Sequence, residues 1–121
     1  MFKIEGKTIH CTRGDTGTIA LRIPISDSED YEFTTSDKVI FTVKSKYSSN
    51  TPLIRKEITF DEPTTTCIFT LTKEDTKIGG LINDARTYYY DIALGEDKTV
   101  IGFDETGGKE FILYPEASND D

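Results

Sequence analysis

Three kinds of residue in this chain could do chemistry, and each asks for partners that the sequence must supply. His10 is the only histidine, beside Cys11, with Cys67 the second thiol. A nucleophilic pair or a zinc site would need those groups to converge with further ligands, and no such spacing is present. The carboxylates Asp27, Glu29 and Asp30, or Asp104 and Glu105, supply the oxygens that calcium prefers. Neither run has the spacing of a calcium loop, so both read as solvated loops. The glycine pairs Gly79-Gly80 and Gly107-Gly108 lack the lysine and hydroxyl of a phosphate loop and read as turns. No catalytic residue, metal or cofactor is expected.

Arg13-Gly14-Asp15 spells a tripeptide found in adhesive ligands. Here it falls between two strand patterns, where Gly14, Asp15 and Thr16 serve as a structural turn: glycine takes positive φ and the aspartate bonds the backbone ahead. Tyr88, Tyr89 and Tyr90 could stack on sugars or bases. In a strand alternate side chains face opposite ways, so Tyr88, Tyr90, Ile92 and Leu94 form one apolar core face. Tyr89 is left as the one exposed candidate, alongside Asp91 and Ala93.

These residues sit within a succession of short alternating segments. Strands are expected at residues 8–12, 18–25, 38–44, 53–60, 66–72, 87–94, 99–103 and 110–114, with a stub near Phe2. Their inward sets are Ile19, Leu21, Ile23 and Ile25; Val39, Phe41 and Val43; Ile54, Ile58 and Phe60; and Cys67, Phe69 and Leu71. Lys56 shares a face with Ile54 and Ile58, which marks a half-open edge strand. Glu110 marks a second candidate edge. Residues 73–80 read as a helical turn capped by Thr72 and ended by glycine. Regularly spaced strands bounded by turns point to an all-β, antiparallel immunoglobulin-like β-sandwich of about seven strands. Residues 1–115 form one domain, and 116–121 a flexible acidic tail.

Composition bounds the function. At 121 residues the chain can bury roughly two-thirds of its unfolded surface, enough to fold without a disulfide or metal. A charge of −8, from 22 acidic against 14 basic residues, repels phosphate backbones and excludes nucleic acid as a ready partner. No apolar run is long enough to cross a bilayer, and no membrane partner is expected. Residues 1–6 carry no signal-peptide pattern, so a secretory precursor is not expected. Cys11 and Cys67 could pair in an oxidising compartment, but within strands they read as small buried hydrophobes.

The turn Gly14-Asp15-Thr16, the segment Asp37-Lys38-Val39-Ile40-Phe41-Thr42-Val43, the pairs Leu71-Thr72 and Asp75-Thr76, and Tyr89-Tyr90-Asp91-Ile92 occur in one order along the chain. In that order the chain resembles small virion proteins of phages and prophages of Gram-positive bacteria. It is similar to the immunoglobulin-like N-terminal domain of phage baseplate upper proteins and to stand-alone tail-module proteins of that kind, and the resemblance spans about residues 8–114. Such a resemblance implies a non-enzymatic structural or adaptor subunit in the tail or baseplate of a virion, made in the bacterial cytoplasm without a signal peptide. Its partners would be other virion proteins, with homo-oligomeric copies in the assembled particle. Baseplate upper proteins continue into a long coiled-coil or receptor-binding region, whereas this sequence stops at Asp121. A host-surface or carbohydrate-binding module is the rival class, and a small hydrolase a third.

Overall fold

The computed structural model describes residues 1–80 and 83–116. Among these, nine strands and one helical turn follow each other: β1 (Phe2–Glu5), β2 (Thr8–Thr12), β3 (Gly17–Leu21), β4 (Val39–Lys44), β5 (Ile54–Ile58), β6 (Cys67–Leu71), α1 (Lys73–Thr76), β7 (Arg86–Leu94), β8 (Lys98–Ile101) and β9 (Glu110–Tyr114). The chain is all-β. A seven-stranded sheet runs β1-β2-β9-β7-β4-β5, with β8 also on β7, and β3 and β6 form a separate two-stranded sheet.

β7 organises the larger sheet because it is long enough to take three partners. β4 pairs along one edge from Val39↔Leu94 to Lys44↔Tyr89. The other edge is shared: β9 takes Arg86 to Tyr89, and β8 takes Ile92 to Leu94 beyond an irregularity at Ile92/Ala93. The alternation of β7 is visible in its burial, with Tyr88, Tyr90 and Ile92 inside and Leu94 half-buried against them. Phe41 of β4 joins the layers, its ring 5.3 Å from Phe69 of β6 and 5.7 Å from Tyr90. Phe33, from an irregular segment, is fully buried and stacks on Phe60 at 4.8 Å.

Several expectations change, beginning with the count, which is nine strands among the described residues in place of about seven. The large sheet is not wholly antiparallel, because β2 runs parallel to β9, Ile9 lying opposite Phe111. β2 leads into the Arg13-Gly14 turn that carries the chain to the other layer, and that connection, not its side-chain pattern, sets its direction. β9 therefore lies between β2 and β7, so Glu110 marks no edge. The strand expected at 18–25 ends at Leu21. Beyond Pro24 the Ile25 N–H bonds Glu29 O, the chain folds back, and Ile25 stands 61% exposed instead of inside.

Other local signals have their physical partners. Thr72 caps α1: its Oγ1 accepts from the Asp75 N–H while the Asp75 carboxylate accepts from the Thr72 N–H at 2.7 Å. The turn ends at Lys77, before Gly79 and Gly80, which take φ of 76° and 69°. Glu116 is half-buried and pairs with Arg13, while the rest of the expected tail, 117–121, lies outside the described residues.

Cys11 and Cys67 are free and buried, and burial pushes each thiol up to about 11. A thiol reagent at pH 8 should therefore react slowly with the native protein and with two groups after denaturation. Two fast native groups would show that these strands open readily, and none after denaturation without reductant would reveal a bridge.

Candidate docking surface

The two-stranded sheet is the least defended part of the molecule. β3 reads Gly-Thr-Ile-Ala-Leu and β6 Cys-Ile-Phe-Thr-Leu, with no charged residue in a chain that is 30% charged. Alternation sends Ile19, Leu21, Cys67, Phe69 and Leu71 into the core. Thr18, Ala20, Ile68 and Thr70 face outward and are exposed, with Ile68 at 62%. Across the pair the Thr18 and Thr70 hydroxyls lie 3.4 Å apart, and the Arg22 Nε donates to Thr66 Oγ1 at 3.0 Å just beyond.

Among the described residues no strand pairs with the second edge of β3 or of β6. Phe2 packs beneath the start of β3 on its inner face. A side chain at Gly17 would meet the Phe2 ring at 2.2 Å, so glycine is what allows this approach. The edge of β6 is held at its start, where Thr64 Oγ1 accepts from the Thr66 N–H at 3.2 Å and Phe33 pairs with Thr64. Beside it lies a groove of about 340 Å³ lined by Ile58, Phe60, Asp61, Glu62, Thr66 and Ile68, among others.

A clasp closes the far end of that side. Lys56 of edge strand β5 reaches Asp75 at 2.6 Å. Burial works against the charged form of Asp75, but hydrogen bonds from Lys56 and Thr72 outweigh it and hold its carboxyl below the usual range. The edges of the large sheet are guarded by charge. β1 carries the Lys3–Glu5 pair, and β5 carries Arg55 2.5 Å from Glu57, whose carboxyl Arg55 holds low. An uncharged, extended edge with exposed apolar and β-branched residues is what a second strand can add to.

The residues singled out in the sequence lie elsewhere. Gly14 takes φ 86° and donates its N–H to Thr76 Oγ1 at 3.0 Å. The Asp15 carboxylate binds the Met1 amine, its carbonyl accepts from Thr76 Oγ1 at 2.8 Å, and Thr16 is exposed. Arg13 is only 5% exposed and pairs with Glu116 at 2.6 Å, so the tripeptide is tied down at both ends and is not presented as a loop. Tyr90 donates its hydroxyl to the Lys7 carbonyl at 2.6 Å. His10 bonds Tyr114 through Nδ1 at 2.7 Å and its Nε2 lies 3.2 Å from the Glu5 carboxylate, while Cys11 faces the opposite way into the core. Asp104 is bound by Lys109 at 2.8 Å and by the Thr106 hydroxyl and amide, so its carboxyl lies well below the usual range. Among the described residues no three metal-ligating side chains converge, and no helix is long and apolar enough to cross a membrane.

Tyr89 is half-buried rather than a bare platform. Its ring lies 5.4 Å from Tyr47, which lies 5.4 Å from Phe103, and Phe103 is the exposed member at 69%. The Tyr47 hydroxyl donates to the Tyr90 carbonyl and accepts from the Lys109 N–H, both at 2.8 Å. Nothing in the local sequence of Tyr47 marks it for this role, since its partners arrive from β7 and from residues 103–109. No protein-family model, curated protein or solved structure matches this chain.

Proposed function

We propose that this chain is a non-enzymatic docking subunit of a phage or phage-derived particle, an immunoglobulin-like sandwich of the tail or baseplate region. The observation that carries the docking role is the uncharged open edge of β6, with Ile68 exposed on it. The immunoglobulin-like reading is supported by strand order. The sequence β9-β7-β4-β5 on one sheet, facing β3-β6 on the other, follows the G-F-C-C′ and B-E order of variable-type sandwiches. The resemblance of the turn and strand motifs to baseplate upper proteins supplies the particle. Its partners are other virion proteins and further copies of itself, and its place is the virion. Many copies held in a symmetric array make weak individual contacts sufficient. Mass spectrometry of particles purified after infection or induction, with immunogold labelling, tests this directly. The expected result is the chain at stoichiometric levels in tails, and its absence from every particle would overturn the reading.

The aromatic group Tyr47, Tyr89 and Phe103 supports a second reading, a host-surface or carbohydrate-binding module. An exposed ring on a half-buried aromatic base offers a flat apolar face beside polar groups, here Asp104 and Lys109. Binding of the isolated protein to cell-wall glycans, lost in Phe103→Ala at unchanged thermal stability, would favour this reading.

A further inference from the structure

We infer that the free edge of β6 pairs antiparallel with β6 of a second copy across a two-fold axis, joining the two small sheets into one four-stranded sheet β3-β6-β6-β3. The inference deepens the docking role proposed above by naming the surface and the partner.

Three observations select a second copy as the occupant. The first is charge. Two chains of −8 repel wherever their charged faces meet, and the β3–β6 sheet is where no charged side chain of either strand is brought to the contact. The second is self-complementarity, which any two-fold contact requires. With the axis at Ile68, Ile68 faces its own counterpart and Thr66 faces Thr70 of the other copy. The outer face of the new pair would then carry one apolar and two β-branched polar contacts, the cross-strand pairs that stabilise sheets. On the inner face Cys67 would meet Phe69 of the other copy, both already buried in their own cores.

The third observation lies at the two ends of the strand. The Asp61-Glu62 turn precedes β6, and α1 follows it. Antiparallel pairing brings the acidic turn of one copy beside the α1 end of the other. There Lys56 and Lys73 balance Glu74 and Asp75, so the acidic turn meets a neutral flank instead of a second acidic turn. A parallel pairing would set acidic turn against acidic turn.

The contact is small, a single pair of five-residue strands, so a weak dimer is expected. Sedimentation equilibrium of the full chain between about 10 μM and about 1 mM should show a monomer–dimer equilibrium within that range. Ile68→Lys places a charge on the outer side of the edge at an exposed position. It should leave the thermal melt unchanged and weaken the dimer at least about tenfold. A second variant reads the geometry. Ile68→Cys, treated with a short thiol-specific bismaleimide, should give a covalent dimer, while Lys98→Cys on β8 should not.

A wild type that stays monomeric to about 1 mM would overturn the inference, and would leave the edge to a strand of another protein. A dimer that Ile68→Lys leaves intact, or a cross-link equally efficient from Lys98→Cys, would overturn it as well. These results are separable from the particle assignment. A monomer found in purified particles sinks only the β6 pairing, and a β6 dimer absent from every particle sinks only the virion role.

Discussion

Replacing Tyr90 by alanine should lower the unfolding free energy by about 3–5 kcal/mol, the range for deleting a large aromatic from a packed interior. Tyr90 is 3% exposed at the centre of β7, tilted against Phe41, and walled by both layers. Its hydroxyl is also committed, donating to the Lys7 carbonyl in the turn between β1 and β2. Tyr90→Phe separates the two contributions. It keeps the ring and leaves the Lys7 carbonyl without its donor, so the cost at pH 7 should be about 1–2 kcal/mol.

The pH dependence gives an independent reading. Burial pushes the Tyr90 phenol up from 10.0 to about 12, with the nearby Tyr47 adding to the shift. In the unfolded chain the phenol loses its proton near 10, while the folded protein keeps it. Between those values the unfolded state binds fewer protons, so stability falls as pH rises through that window. Tyr90→Phe removes this component, and the gap between variant and wild type should narrow between pH 10 and 12. Urea melts at fixed pH values measure both effects. If Tyr90→Ala costs under about 1 kcal/mol, the strand is not the centre of the core and the inside–outside assignment of β7 fails.

What was legible in the sequence and what was not follows one division. Alternation reports which face of a strand meets the core, and for β4, β6 and β7 the inward residues Val39, Phe41, Val43, Cys67, Phe69, Leu71, Tyr88 and Tyr90 are all buried. Local chemistry was also readable. Thr72 announces a cap because its partner Asp75 is three residues away, and Lys56 announces an edge because a cation does not sit in the middle of a sheet. Alternation carries no information about which strand arrives beside which. The parallel pairing of β2 with β9 joins residues a hundred positions apart, and it is what moves Glu110 from edge to interior.

The same limit hides single residues in irregular segments. Phe33 is fully buried yet lies in no strand, and it is placed by backbone hydrogen bonds to Thr64. Arg13 carries a charge that composition would send to the surface, yet it is buried against Glu116 at the other end of the chain. The candidate docking edge was half visible. The absence of charge in β3 and β6 can be counted from the sequence, but not the fact that these two strands stand alone as a sheet.

The other large effect is expected at Thr76, where the two layers are tied together. Thr76 is fully buried, and its hydroxyl accepts from the Gly14 N–H at 3.0 Å and donates to the Asp15 carbonyl at 2.8 Å. Those two backbone groups belong to the turn that carries the chain from β2 in the large sheet to β3 in the small one. Thr76 itself ends the helical turn that leaves β6, so one hydroxyl joins the entrance of the small sheet to its exit. Thr76→Val has nearly the same shape but can neither donate nor accept. It should cost about 2–4 kcal/mol, because two partly buried backbone groups lose their partners at about 1–3 kcal/mol each. Thr76→Ser keeps the hydroxyl and loses one methyl, and should cost only about 1 kcal/mol. Urea denaturation followed by circular dichroism measures both. A valine variant within about 0.5 kcal/mol of wild type would mean that the hydroxyl bridges nothing of consequence. Because the lost contacts hold the Gly17–Leu71 end of the β3–β6 pair, the valine variant should also weaken docking at β6, while the serine variant should dock as the wild type does.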